Sequence, residues 1–143
     1  MAVVPAPPAA APREAELVAL ANELVGRIWG HFTARAAELN LSLAEAKAIQ
    51  NLEPGEAMPM RALAARLHSN PSNVTVVVAR LEARNLLERQ VSDDRRVKGV
   101  RLTNAGQALK QKFESRLIAD HPAVRGLSPE DQHTLLAILR RLS

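Results

Sequence analysis

Apolar residues recur at three- and four-residue spacings along much of this chain, the period of helices with one buried face. From Glu14 to Leu39, the positions Leu17, Leu20, Ala21, Leu24, Ile28 and Phe32 form one continuous stripe. A stripe of that length exceeds what a globular helix needs, and it suggests a second surface to bury, such as another subunit. Ser42 to Leu52 predicts a second helix, in which Ser42 precedes Glu45 at capping-box spacing and Glu53-Pro54-Gly55 ends the run. Met60 to Leu67 predicts a short third helix with Leu63, Ala64 and Leu67 inward. Asn70 is a good N-cap and Pro71 fits a first turn, so a fourth helix runs from Pro71 to about Arg84. Asn85 can adopt the left-handed conformation that closes it.

The period then changes. Leu86 to Val91 and Val97 to Leu102 flank the turn cluster Ser92-Asp93-Asp94 and predict a two-stranded hairpin. Thr103 caps a fifth helix, Asn104 to about Ala119, which His121-Pro122 breaks. Ser128-Pro129-Glu130-Asp131 opens a last helix carrying Leu135, Leu136, Ile138, Leu139 and Leu142. The expected fold is mainly α with a two-stranded wing: a winged helix-turn-helix lobe over about 42–103, with dimerisation helices at about 13–40 and 104–143. Residues 1–12, rich in Ala and Pro, read as a flexible tail before a single domain over 13–143.

The fourth helix has two unlike faces. At 100° per residue Val74, Val77, Val78 and Leu81 fall together. The opposite side carries Ser72, Asn73, Val76, Ala79, Arg80 and Ala83, with Thr75 at its edge. Small side chains there let a helix sink into a major groove. Asn pairs with adenine, Arg with guanine, Ser and Thr with bases or phosphates, and Val76 can meet a thymine methyl.

Charge points the same way. The chain is +4 overall, yet residues 61–101 hold nine basic and four acidic side chains, a local excess of +5. Such a zone suits a polyanion, because neutralising phosphates releases counterions. The hairpin tip adds Asp94, Arg95, Arg96 and Lys98. A guanidinium there can enter a narrow minor groove.

The stretch Asp94-Arg95-Arg96, followed by Arg101-Leu102-Thr103-Asn104-Ala105-Gly106, resembles the wing signature of the multiple-antibiotic-resistance regulator (MarR) family. Leu41-Ser42-Leu43, Leu63-Ala64-x-Arg66-Leu67, Asn70-Pro71-Ser72-x-Val74-Thr75 and Arg80-Leu81-Glu82-x-Arg84-Asn85-Leu86-Leu87 are similar to its helix-turn-helix. The resemblance covers about residues 41–112. It implies a transcription regulator, commonly a repressor, acting as a homodimer on a palindromic operator in double-stranded DNA. It further implies that Ser72, Asn73, Thr75 and Val76 face the major groove, that Arg96 is the wing arginine and that Asp94 orients it. Val76 stands where the family often has a basic or polar residue, and Asn85 where it often has Gly. Many members release DNA when a small aromatic or phenolic ligand binds between the dimer helices and the DNA-binding lobe. The candidates for such contact here are Trp29, His31 and Phe32.

The chain has no cysteine, which removes disulfides, thiolate metal sites and cysteine redox switches. It shows no nucleophile–base pair, phosphate-cradling glycine loop or carboxylate cluster, so neither an enzyme nor a bound cofactor is expected. His31, His68, His121 and His133 lack local metal spacing, although a zinc site assembled across helices stays open. No apolar run is long enough to span a membrane, the opening lacks the charged start of a secretory signal, and a cytoplasmic location is the default. The competing reading is a winged-helix protein-interaction module that does not bind DNA.

Overall fold

The computed structural model describes residues 2–4, 10–91 and 97–143. Its elements run α1 (Ala10–Glu38), α2 (Leu43–Asn51), α3 (Met60–Arg66), α4 (Pro71–Ala83), β1 (Leu87–Val91), β2 (Val97–Leu102), α5 (Asn104–Ile118) and α6 (Pro129–Leu142). Each expected helix and both strands are present, in the expected order. α1 starts at Ala10, inside the stretch read as tail. Pro12 then falls in the first turn, where a missing N–H breaks no intrahelical bond.

The chain divides into two compact units, Phe32–Ala119 and Met1–His31 with Asp120–Ser143. The first is the winged-helix lobe. Phe32, Ala36 and Leu39 of α1, Ala46, Ala48 and Ile49 of α2, Leu63 of α3, and Val74, Val78 and Leu81 of α4 are all buried in one core. Leu87, Val100 and Leu102 of the hairpin and Phe113 of α5 complete it. Phe32 and Phe113 meet edge to face, with ring centroids 5.2 Å apart, the arrangement that aromatic quadrupoles favour.

Helices α1, α3 and α4 end in the same way. Asn40, His68 and Asn85 each take positive φ, at 56°, 48° and 58°. The next residue's N–H then reaches back to the last turn: Leu41 to the Ala36 carbonyl at 3.0 Å, Ser69 to Ala64 at 3.1 Å and Leu86 to Leu81 at 2.9 Å. These are Schellman closures, and the one at His68 makes the short turn between α3 and α4.

β1 and β2 pair antiparallel, with Leu87 opposite Leu102, Glu88 opposite Arg101 and a bulge between Gln90 and Val91. A third segment joins them, which the sequence pattern does not reveal. Met58 exchanges backbone hydrogen bonds with Val100, at 2.8 and 2.9 Å. This close approach needs Gly99, because a Cβ there would lie 2.5 Å from the Met58 carbonyl oxygen. Gly106 serves α5 likewise: a Cβ would sit 2.0 Å from the Leu86 carbonyl oxygen. Thr103 is fixed twice. Its hydroxyl donates to the Asn85 carbonyl at 2.7 Å and accepts from the Gly106 N–H at 3.0 Å, as the expected cap of α5.

In the second unit the ring of His121 lies 5.3 Å from that of His31, nearly perpendicular to it. Ser128 caps α6 by accepting from the Asp131 N–H. No residue of α6 is buried. Its Leu136, Ile138, Leu139 and Leu142 stay exposed, as do Leu17, Val18, Leu20, Val25 and Trp29 of α1. No helix among the described residues is long and apolar enough to cross a membrane.

Candidate nucleic-acid interface

The start of α4 is built by Asn70. Its side-chain oxygen accepts from the Asn73 N–H at 2.9 Å and from the Ser72 hydroxyl at 2.6 Å. This satisfies one orphan amide of the first turn and ties Ser72 to the cap. The Thr75 hydroxyl donates back to the Pro71 carbonyl at 2.9 Å. In the free protein both hydroxyl protons are therefore held by the helix itself. A phosphate or base that accepts from either must displace an internal bond.

Inward, Val74, Val78 and Leu81 are buried and Val77 is half-buried. Outward, Ser72, Asn73, Thr75, Val76, Ala79, Arg80 and Ala83 are all exposed. The two faces are those the periodicity predicts. The Asn73 amide and the Arg80 guanidinium have no hydrogen-bond or ion-pair partner among the described residues. They are the two groups on this face with uncommitted donors and enough reach to read a base edge. Beside the face runs a groove of about 400 Å³ between α2 and α4, lined by Leu43, Lys47, Leu67, Asn73, Val76 and Val77.

The basic zone is less open than its composition suggests. Arg84 pairs with Glu45, Arg89 with Glu82 and Arg101 with its cross-strand neighbour Glu88. Arg66 donates to the Asn51 carbonyl at 3.3 Å. Arg61 and Arg80 have no such partner among the described residues. Asp94, Arg95 and Arg96, expected at the wing tip, lie outside the described residues, as does the side chain of Lys98.

The residues expected near a ligand do not share one environment. Phe32 is in the lobe core at 9% exposure, Trp29 is exposed and His31 is half-buried. Among the described residues, no group of three or more His, Asp or Glu could hold a metal ion.

Three contributions escape a reading of the sequence. Glu45 completes only half of a capping box: Ser42 accepts from the Glu45 N–H at 3.1 Å, but the Glu45 carboxylate turns to Arg84. Lys110 is buried and donates to the Gln50 and Leu52 carbonyls at 3.2 and 2.6 Å, closing the C-terminus of α2. Met58 is the third β segment. Each joins positions too far apart in sequence for spacing to disclose.

Residues 41–98 match the family model described as "MarR family". A MarR-family transcriptional regulator from Silicibacter pomeroyi is 27% identical and superposes with a TM-score of 0.65, covering 86% of this chain and 84% of that one. The chain resembles the MarR family over its central lobe and shares the fold of a solved member. An S. aureus MepR mutant bound to an oligodeoxyribonucleotide is 19% identical with a TM-score of 0.66, over 88% of this chain and 94% of that one. CouR from Rhodococcus jostii bound to p-coumaroyl-CoA is 23% identical with a TM-score of 0.65, over 86% and 88%. No curated protein matches the sequence. The MarR wing pattern has a physical basis here: Leu102 enters the core, Thr103 caps α5 and Gly106 admits the Leu86 carbonyl.

Proposed function

We propose that this chain is a MarR-family transcription regulator that binds double-stranded DNA sequence-specifically through the outer face of α4. The observation that carries the reading is the division of that helix. Its apolar half is buried in the lobe, while Ser72, Asn73, Thr75, Val76 and Arg80 are exposed together on a surface of otherwise small side chains. Asn73 reads a base edge and Arg80 contacts the phosphate backbone. Ser72 and Thr75 turn their hydroxyl protons from internal bonds to phosphate, and Val76 meets a thymine methyl. The wing residues Asp94, Arg95, Arg96 and Lys98 reach an adjoining groove, with Asp94 orienting Arg96. The MepR mutant bound to DNA supports this reading by its shared fold.

The regulator acts as a homodimer on a two-fold symmetric operator, as a repressor. The unburied apolar residues of α1 and α6 support the dimer, since exposed apolar surface of that extent commonly marks an interface. A small aromatic effector releases it from DNA, with Trp29, His31 and Phe32 as the residues to test. The CouR complex with p-coumaroyl-CoA supports an aromatic acyl ligand on this fold.

The test is selection of duplexes from a random pool, followed by titration of the selected sequence at several salt concentrations. The reading expects an inverted repeat with half-sites about one helical turn apart, ~34–36 Å, and affinity that falls steeply with salt. No enrichment and no salt-dependent binding would favour a protein-interaction module instead.

A further inference from the structure

Arg84 sits at the C-cap of α4, within the stretch whose charge suggests a DNA surface. Its guanidinium points elsewhere. Nη1 donates to the Asn40 carbonyl at 2.7 Å and Nη2 to the Leu39 carbonyl at 3.1 Å. Nη1 also faces the Glu45 carboxylate at 3.5 Å, a buried group at the start of α2. Leu39 and Asn40 are the residues where α1 turns out of its helix, through the left-handed Asn40. Carbonyls at a helix C-terminus lack intrahelical donors and carry the negative end of the dipole. Arg84 supplies both donors and the opposing charge. Its planar fork suits two neighbouring oxygens in a way a lysine ammonium does not.

We propose that Arg84 is a positioning residue: it clasps the end of α1 and so sets the pose of the recognition helix on the lobe. The apolar seam of Val74, Val78 and Leu81 holds α4 against the core along its length. The clasp is directional and lies at the end of the helix opposite Asn73. A small swing at Arg84 therefore displaces the base-reading end of α4. Arg84 thereby governs specificity without touching DNA. This inference rests on the DNA-binding reading of α4.

The experiment compares the full-length parent with Arg84→Ala, Arg84→Lys and Arg80→Ala. Each is titrated on a selected and a scrambled duplex at several salt concentrations. Amide hydrogen exchange is measured on the free proteins. Arg84→Ala should weaken the selected duplex by about tenfold, the loss expected when a displaced helix end gives up one base contact. It should change the scrambled duplex by about twofold or less and leave the salt slope at the parent value. Arg84→Lys, which keeps the charge but not the fork, should lose most of the same specificity. It carries the test alone if Arg84→Ala fails to fold. Exchange should quicken at the ends of α1 and α4 and not in the β1–β2 hairpin. Arg80→Ala should instead lower the salt slope by about one on both duplexes. Parent-like specificity in Arg84→Ala or Arg84→Lys, or a salt slope that falls as in Arg80→Ala, overturns the proposal. So does parent-like exchange at both helix ends. A parent that binds no duplex overturns the regulatory reading itself, and the exchange data then still decide whether the clasp orders these ends.

Discussion

Lys110→Met isolates one buried bond from the packing around it. Methionine keeps an unbranched apolar stem of similar length and removes only the donor. The ammonium holds two carbonyls at the end of α2. The bond to Gln50 is the longer, at 3.2 Å, and Gln50 is exposed, so water can replace that donor at little cost. The bond to Leu52 is 2.6 Å, and Leu52 is fully buried. Its carbonyl is left without a donor, at a cost of about 1–3 kcal/mol. The lost charge at a helix C-terminus adds roughly 0.3–1 kcal/mol. Relief of the lysine's own desolvation works in the other direction. The ion pair to Glu114 spans 3.8 Å to a half-exposed carboxylate and contributes little. The net expected loss is about 2 kcal/mol. Urea unfolding at one fixed protein concentration measures it, and should show a lower midpoint with an unchanged slope. Lys112→Met, at an exposed position of the same helix, should stay within about 0.5 kcal/mol of the parent. A Lys110→Met protein as stable as the Lys112→Met control would mean that the buried donor contributes nothing to the fold.

Other substitutions test other joints. Gly106→Ala places a methyl group against a backbone oxygen that cannot move without shifting α5, and should cost more than about 2 kcal/mol in the same unfolding experiment. Asn85→Gly should leave stability within about 0.5 kcal/mol, whereas Asn85→Ala, at the same positive φ, should lower it by roughly 1 kcal/mol. Leu17→Asp with Leu20→Asp puts charge on the exposed apolar stripe of α1 and should convert the proposed dimer to a monomer by light scattering at micromolar concentration.

The local signals in the sequence located the elements well, because each is written within one turn of helix or strand. Asn70, Thr103 and Ser128 cap the helices they precede. The valines of α4 divide its faces as a period of 3.6 requires. Asn85 takes the left-handed conformation its side chain tolerates. Long-range partners were not legible. Nothing near Arg84 announces that its guanidinium meets carbonyls 44 and 45 positions earlier. Composition counted it as free positive charge. Lys110 looks like any helical lysine until Leu52 is placed beside it. His68 gives little sign of a left-handed turn, since only its place between two helices requires one. For the candidate site the outcome is similar. The exposed face of α4 follows from spacing alone, but which of its groups are already committed, as Ser72 and Thr75 are, depends on hydrogen bonds that spacing does not specify.

Reading of DNA sequence by the outer face of α4 depends above all on Asn73, and Asn73→Ala removes that group alone. Asn73 is exposed, its amide is uncommitted, and its backbone N–H rather than its side chain serves the cap, so its removal leaves the helix start intact. The variant should be titrated beside the parent on a selected duplex and on a scrambled one. Asn73→Ala should lose roughly 1–3 kcal/mol on the selected duplex, with little change on the scrambled one and an unchanged salt slope. Equal affinity of parent and variant for the selected duplex, or an equal loss on both duplexes, would contradict base reading by Asn73.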